Sequence, residues 1–491
     1  MFSSRVAIVV ILIFSVLLLV LFVGKNSSKV LTGKVKEIVL TNSGFDPQIV
    51  TIAQGDTVVF SSNTGKHFWP ASNIHPYHSI YPEFDPRRPL SPEEQWIFTF
   101  NKPGQWLFHD HLSSQFTGAI IVAPSPGTSL GECDETEPNA QECWNISITQ
   151  TFWENGLDAA FDEMSRIHDL NPTFASACHN FTHDIGLLAF SRYGDDVPIT
   201  EKTSYCNDGF YHGYMEGFLT EYQDPHVARE FCDEVEETIG DIYSLAFHQC
   251  NHGIGHGTTE YLLHTRSDLW GHPIEIIKIG IDFCDATNDT EEDKFRCASG
   301  AYSVLGDWML LQENYEQKFL PLDERGFWIC EEAQNEWAVD GCIWELSKRI
   351  VRRMQEDETE ALHVVENAGR YVRGGAYTSR AVRSVADGIG QKSVANKDSN
   401  PFSICSIFEE KELLNACLVG ISDGLYHAGP PGREAEYTAN KCLSSGLNTD
   451  QKLMCANNLI ERIRLSAHSE KIVDICQLFS DIEFGKETCS R

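Results

Sequence analysis

Short apolar runs punctuated by turn residues dominate the chain from about Lys34 to Ala123. Val35–Leu40, Gln48–Ile52, Thr57–Phe60, Gln95–Phe100, Gly104–Phe108 and Gly118–Val122 are rich in Val, Ile, Phe and Trp. Asn42-Ser43-Gly44, Gln54-Gly55-Asp56 and Lys102-Pro103-Gly104 separate them. β-branched and aromatic runs of this length, cut by Gly, Asn, Asp and Pro, predict the strands of a sandwich. Ahead of them, Val6–Val23 is apolar except for Ser15 and long enough to cross a bilayer as a helix. Behind them, Pro124, Pro126, Gly127, Gly131 and Pro138 crowd a stretch with several acids, which reads as a boundary. From Trp153 onward the pattern turns helical. The chain thus reads as multidomain: a transmembrane signal anchor over 1–28, an all-β Greek-key sandwich over 34–124, a linker over 125–150 and an all-α helical repeat domain over 151–491.

Cysteine spacing gives the helical half its repeat. The 16 cysteines fall into successive pairs, Cys133/Cys143, Cys178/Cys206, Cys232/Cys250, Cys284/Cys297, Cys330/Cys342, Cys405/Cys417, Cys442/Cys455 and Cys476/Cys489. Five of the eight intervals are 12 or 13 residues, which suits two cysteines flanking a helix–turn–helix corner. A zinc ribbon would need Cys-x-x-Cys, which the chain lacks. Disulfide stapling of this density belongs to an oxidising compartment. It also decides orientation. Lys25, Lys29, Lys34 and Lys36 follow the apolar span, and the positive-inside rule alone would hold the body in the cytoplasm. Long domains translocate largely regardless of charge, so the cysteines outweigh the lysines. Phe22, Val23 and Gly24 make a poor cleavage site, and the span reads as an uncleaved anchor, with a cleaved signal peptide the alternative. The expectation is a single-pass cell-membrane protein with its body periplasmic or extracellular.

A finer motif recurs inside the repeat. Cys206-Asn-Asp-Gly209-Phe-Tyr-His212-Gly213-Tyr-Met-Glu216 matches Cys250-Asn-His-Gly253-Ile-Gly-His256-Gly257-Thr-Thr-Glu260. Offsets of 0, 3, 6 and 10 share roughly one helix face, where Cys staples, Gly permits close approach, and His and Glu point into the interface. Later copies keep Cys and Gly but lose this His: Cys297/Gly300 with Ser303 and Asp307, and Cys417/Gly420 with Asp423 and His427. His179 and His183 share the i, i+4 spacing of His252 and His256, which suits chelation of one metal. His179, His183, His212, Glu216, His252, His256 and Glu260 are therefore candidate ligands for zinc, iron or copper. The alternative is a set of buried, hydrogen-bonded histidines that specify helix packing.

Charge narrows the partners. With Asp+Glu 71 against Lys+Arg 38, the net charge of -33 repels phosphate backbones and excludes nucleic acid as a partner. A metal ion, the membrane through the anchor, and a redox or surface protein partner remain. The basic run Lys348–Arg353 reads as a solvated helix face. No phosphate-binding Gly loop, Gly-x-Ser-x-Gly elbow or haem-attachment motif is present.

The stretch Trp106–Val122, WLFHDHLSSQFTGAIIV, resembles the C-terminal end of cupredoxins, the small copper-binding sandwiches. That family holds copper with a Cys, a His three residues on and a Met about five beyond. His111 falls on its His, Phe108 on its Cys and Phe116 on its Met. Gly44–Pro70, GFDPQIVTIAQGDTVVFSSNTGKHFWP, resembles the family's segment leading to the first copper His, and His67 stands in that place. The resemblance implies a copper site without a thiolate, and hence non-blue; the alternative is a metal-free sandwich whose histidines hydrogen-bond in loops. His67, His109 and His111 are its candidate ligands, with His75 and His78 from the aromatic loop Phe68–Phe84. The whole arrangement is similar to periplasmic metal-uptake proteins of the EfeO type. Metal handling or electron transfer is the leading expectation. A metalloenzyme centred on the helical histidines and a non-catalytic surface interaction module are the alternatives.

Overall fold

A computed structural model describes residues 34–72, 78, 81–123, 140–243, 245–266, 269, 272–311, 327–353, 357–465 and 469–479. The expected anchor over 1–28 lies outside them. Among the described residues no helix is long and apolar enough to cross a membrane.

The first part is a two-sheet sandwich. Its strands are β1 (Val35–Thr41), β2 (Gly44–Asp46), β3 (Ile49–Ala53), β4 (Thr57–Ser62), β5 (Pro70–Ser72), β6 (Trp96–Thr99), β7 (Gly104–Asp110) and β8 (Ser113–Ala123). All six expected runs form strands, while β2 and β5 are too short for sequence periodicity to show. The sheets run β2-β1-β4-β6 and β3-β8-β7-β5. Both are mixed: β1 lies parallel to β4 with Ile38 opposite Phe60, and β3 parallel to β8 with Ile52 opposite Val122. Alternation sends Ile38, Leu40, Val50, Ile52, Phe60, Ile120 and Val122 into one core. Asp56 ties the two sheets together, accepting from the Lys34 N–H at 2.7 Å and the Ala53 N–H at 2.9 Å.

Helix begins earlier than the expected linker over 125–150 allows. α1 (Ala140–Asn155) starts inside it, because Trp144, Ile148 and Phe152 at four-residue spacing bury one face. Then follow α2 (Leu157–Leu170), α3 (Cys178–Tyr193), α4 (Tyr205–Tyr222), α5 (Pro225–Ile239), α6 (Ala246–Thr265), α7 (Pro273–Thr287) and α8 (Glu291–Leu311). The C-terminal half holds α9 (Trp328–Glu332), α10 (Glu336–Arg353), α11 (Glu358–Tyr371), α12 (Thr378–Ala395), α13 (Lys411–His427), α14 (Glu434–Ser444), α15 (Thr449–Leu465) and α16 (Ser469–Leu478). Among the described residues six neighbouring-cysteine disulfides are present, from Cys178–Cys206 to Cys442–Cys455, each joining successive helical segments. Cys143 and Cys476 are also disulfide-bonded, while Cys133 and Cys489 lie outside the described residues.

The repeat array is bent round on itself. α3, α4, α6, α8, α10, α12 and α13 pack in that order, and α12 then meets the 3-10 turn Pro172–Ser176 that leads into α3. Ala175 of that turn belongs to the same apolar cluster as Val385 and Ile421 of the far half. His168 closes the seam by donating to the Ala428 carbonyl at 3.3 Å. The sandwich packs on this ring through β7 and β8, against α3 and α6 among others, and Ile121 of β8 joins the core of the first helices.

Candidate metal centres

The ring encloses a cavity of about 1500 Å³. His179, His183, His212, Glu216, His252, His256 and Glu260 all line it, so the sequence motif converges as its spacing implies. Leu107 of β7 reaches the same space.

Glycine sets how closely these helices approach. A Cβ on Gly213 would lie 1.9 Å from the His183 carbonyl oxygen, and one on Gly300 1.9 Å from that of His252. With hydrogen there instead, α3, α4, α6 and α8 bring their backbones together, and the histidines beside each glycine meet across the interface. His183 Nε2–H donates to Glu216 Oε1 at 2.8 Å. His256 Nδ1 lies 3.0 Å from the same oxygen, at an angle that makes no hydrogen bond. The ligand atoms of His183, Glu216 and His256 lie within 4.8 Å of one another, which is the arrangement a single ion needs. His212 stacks on His252 and on His256 at 4.7 Å each, and His179 donates to the Cys206 carbonyl at 3.0 Å. Cys206, Asn207 and Asp208 take left-handed backbone angles at the head of α4 and so aim that carbonyl.

Electrostatics separate these imidazoles. Burial favours the neutral ring at His183, yet the Glu216 carboxylate overrides it and pushes His183 up to about 9. Glu216, although buried, is held well below the carboxylate range by His183. Burial holds His252 down at about 3, and burial followed by its histidine neighbours lowers His212. His212 and His252, held toward the neutral form beside the His183–Glu216 pair, make a nitrogen-rich wall.

A second group forms at the pole of the sandwich. His78, His109 and His111 offer ligand atoms within 4.8 Å of one another. His78 Nε2 is 3.0 Å from His111 Nδ1, and its Nδ1 is 2.7 Å from Asp85 Oδ2. The Trp69 indole N–H donates to the other Asp85 oxygen at 2.8 Å. Burial would raise Asp85, but those hydrogen bonds from His78 and Trp69 keep it below its usual range. A carboxylate behind an imidazole fixes the ring and its tautomer, as metal sites require. Burial, then His78, lowers His111, which favours the neutral form that coordinates a metal.

One expected ligand is displaced. His67 is exposed and outside this group, because Phe68 turns into the core and Trp69 takes the inward-facing place, its ring 4.3 Å from His111. His75 lies outside the described residues. Phe108 is fully buried against Phe45, Phe60 and Phe84, and so points into the core instead of the pole. Gly118 makes room for it, since a Cβ there would sit 2.5 Å from the Phe108 ring. Half-buried Phe116 packs against that core as well.

Sequence reading misses the far side of the cavity. Lys348 and Arg349 are not on a solvated face: Arg349 is 5% exposed, and both line the cavity. Arg349 pairs with Glu345 at 2.6 Å and donates to Ser303 Oγ at 2.8 Å. Asp387 and Asp423, both fully buried, receive His427 at 2.8 Å and Arg462 at 2.7 Å respectively. A signal for them exists in the sequence. Asp423-Gly424 stands where the motif has His-Gly, six residues after Cys417, and Asp387-Gly388 repeats the dipeptide without the motif's Cys and Gly.

Fold and sites together define a β-sandwich docked on a disulfide-stapled ring of helices, with a histidine-centred ligand group in each part. No protein-family model and no curated protein matches the chain.

Proposed function

We propose that this is a membrane-anchored, extracytoplasmic metal-binding protein, with copper the first candidate, whose cupredoxin-like sandwich serves metal handling or electron transfer. The convergence of His78, His109 and His111 in front of Asp85 carries this reading. Three imidazoles suit Cu(II) and Zn(II), and the absence of a thiolate leaves copper without an intense sulfur-to-metal band. The stapled helices support an oxidising compartment.

Cu(II) titration of the metal-stripped full-length protein, followed by paramagnetic resonance and absorption, tests it. The expected spectrum is that of a nitrogen-ligated copper with no strong blue absorption. His78→Ala and His111→Ala each remove one copper equivalent, and Asp85→Asn weakens that site by about 10–100-fold. His67→Ala leaves it intact. An intense blue band, or loss of copper in His67→Ala alone, overturns the ligand assignment.

A second reading, a metalloenzyme, is favoured by the helical group's position. His183, Glu216 and His256 border a cavity of about 1500 Å³, whereas small-molecule sites commonly measure about 300–1,000 Å³. There is room beside an ion for a substrate.

A further inference from the structure

The two walls of the ring cavity carry opposite chemistry. Helices α3, α4 and α6 contribute every lining histidine but His427, together with Asp184, Glu216 and Glu260. Helices α8, α10, α12 and α15 contribute Arg296, Lys348, Arg349, Arg380, Arg383 and Arg462. In a chain of net charge -33, that many cations on one inner wall is a local inversion of sign.

The carboxylates that hold these cations mostly stand behind them. Asp423 takes Arg383 and Arg462 at 2.7 Å each, and Asp387 takes Lys348 at 3.3 Å. Both aspartates are fully buried and do not line the cavity. Arg380 likewise leans on Asp340 at 2.9 Å, and Arg296 on Glu292 at 2.9 Å, neither of which faces the cavity. Of the acids on this side, among the described residues, Glu345 and Glu461 alone reach the lining. The cationic heads therefore form the surface that a ligand meets.

Like charges are also packed together there. The Trp344 ring carries Lys348 at 4.6 Å and Arg380 at 4.4 Å. Burial pushes Arg380 below the ordinary arginine range against the pull of Asp340, and the nearby Arg383 and Arg296 add to that shift. Guanidinium and ammonium groups held side by side in a walled space focus a positive field that an anion relieves. Guanidinium forks match the paired oxygens of carboxylate and phosphate.

We infer that the ring cavity is a binding site for a small oxyanion ligand, a carboxylate or phosphate seated on the Arg/Lys wall with its other end toward the His183–Glu216–His256 group. This goes beyond metal binding and does not require it, so the test uses chelator-treated protein. A surface of net charge -33 repels free anions, so uptake of one reports an enclosed cationic site.

Calorimetric titration of the full-length protein with inorganic phosphate and with succinate, at low ionic strength, provides the test. Saturable binding of at least one probe is expected, and which of them binds assigns the oxyanion class. Lys348→Gln and Arg383→Gln are expected to weaken it at least tenfold. Each leaves its buried aspartate a partner, since Asp387 keeps His427 and Asp423 keeps Arg462. Arg296→Gln, whose ion-pair partner Glu292 is exposed to solvent, is expected to weaken binding in the same direction without a threat to folding. Arg88→Gln, on the sandwich surface, changes nothing. Failure of both probes to bind the wild type, or equal affinities in the wall variants and the wild type, overturns the proposal.

Discussion

Gly213→Ala is expected to destabilise the helical ring by about 3 kcal/mol, the upper end of ordinary overpacking costs. The added methyl would start 1.9 Å from the His183 carbonyl oxygen and 3.0 Å from the Leu187 amide nitrogen. Both are backbone atoms, so no rotamer change relieves the clash and α3 must move away from α4. A loss of that size lowers Tm by about 5 °C or more. Gly280→Ala on α7 provides the contrast. Its new Cβ meets Thr259 Oγ1 at 3.4 Å and the Ala301 Cβ at 3.5 Å, which is ordinary contact. There the helix gains up to about 1 kcal/mol because alanine loses less backbone entropy than glycine. Thermal unfolding followed by circular dichroism compares the two. Equal melting of Gly213→Ala and wild type would mean that α3 and α4 do not pack this closely. The same variant should also lose the helical metal group, since separating α3 from α4 pulls His183 off Glu216.

That glycine shows how much of the site the sequence carries. Cys-x-x-Gly-x-x-His-Gly places staple, close approach and ligand on one helix face, and the structure assembles the motif's His212, Glu216, His256 and Glu260 with the i, i+4 partners His179, His183 and His252 around one cavity. Local pairing of cysteines follows from their spacing for the same reason: a 12- or 13-residue interval leaves room for one corner. Closure of the ring is invisible to such reasoning. It depends on Ala175 meeting residues more than 200 positions away, and no local period encodes that. The basic wall was hidden by a related limit. Lys348 and Arg349 look solvated in sequence, and long-range partners such as Ser303 and Asp387, beside the local Glu345, are what satisfy them away from solvent. His67 misleads in a different way. Resemblance to a copper-loop histidine fixes its place in the chain, whereas Phe68 and Trp69 decide which side chain faces the pole.

Adding Zn(II) or Cu(II) to chelator-stripped protein is expected to raise the melting temperature of the helical ring, and Glu216→Gln is expected to abolish that gain. An ion bound only by the folded state stabilises by about 2.7 kcal/mol at one hundred times its Kd and about 4.1 kcal/mol at one thousand times. Glu216 is the centre of the group, because both His183 and His256 approach its one oxygen. The metal-free variant should also be weaker than metal-free wild type by about 3–5 kcal/mol, the usual cost of breaking a buried pair from one side. The pH dependence separates the pair from general damage. His183 stands at about 9 in the folded metal-free protein, above the ordinary histidine value, so its contribution is complete below about pH 6.5 and is lost as pH rises through about 9. Glu216 is shifted down, so its contribution holds above about pH 4.5 and fails only in stronger acid. Metal-free wild type should therefore weaken between about pH 6.5 and 9, and Glu216→Gln should be flat there. A coordinated His183 must give up its proton, so the stabilisation by metal should grow across the same window. A wild-type melting temperature that ignores both metal and chelator would leave the buried histidines with a packing role alone.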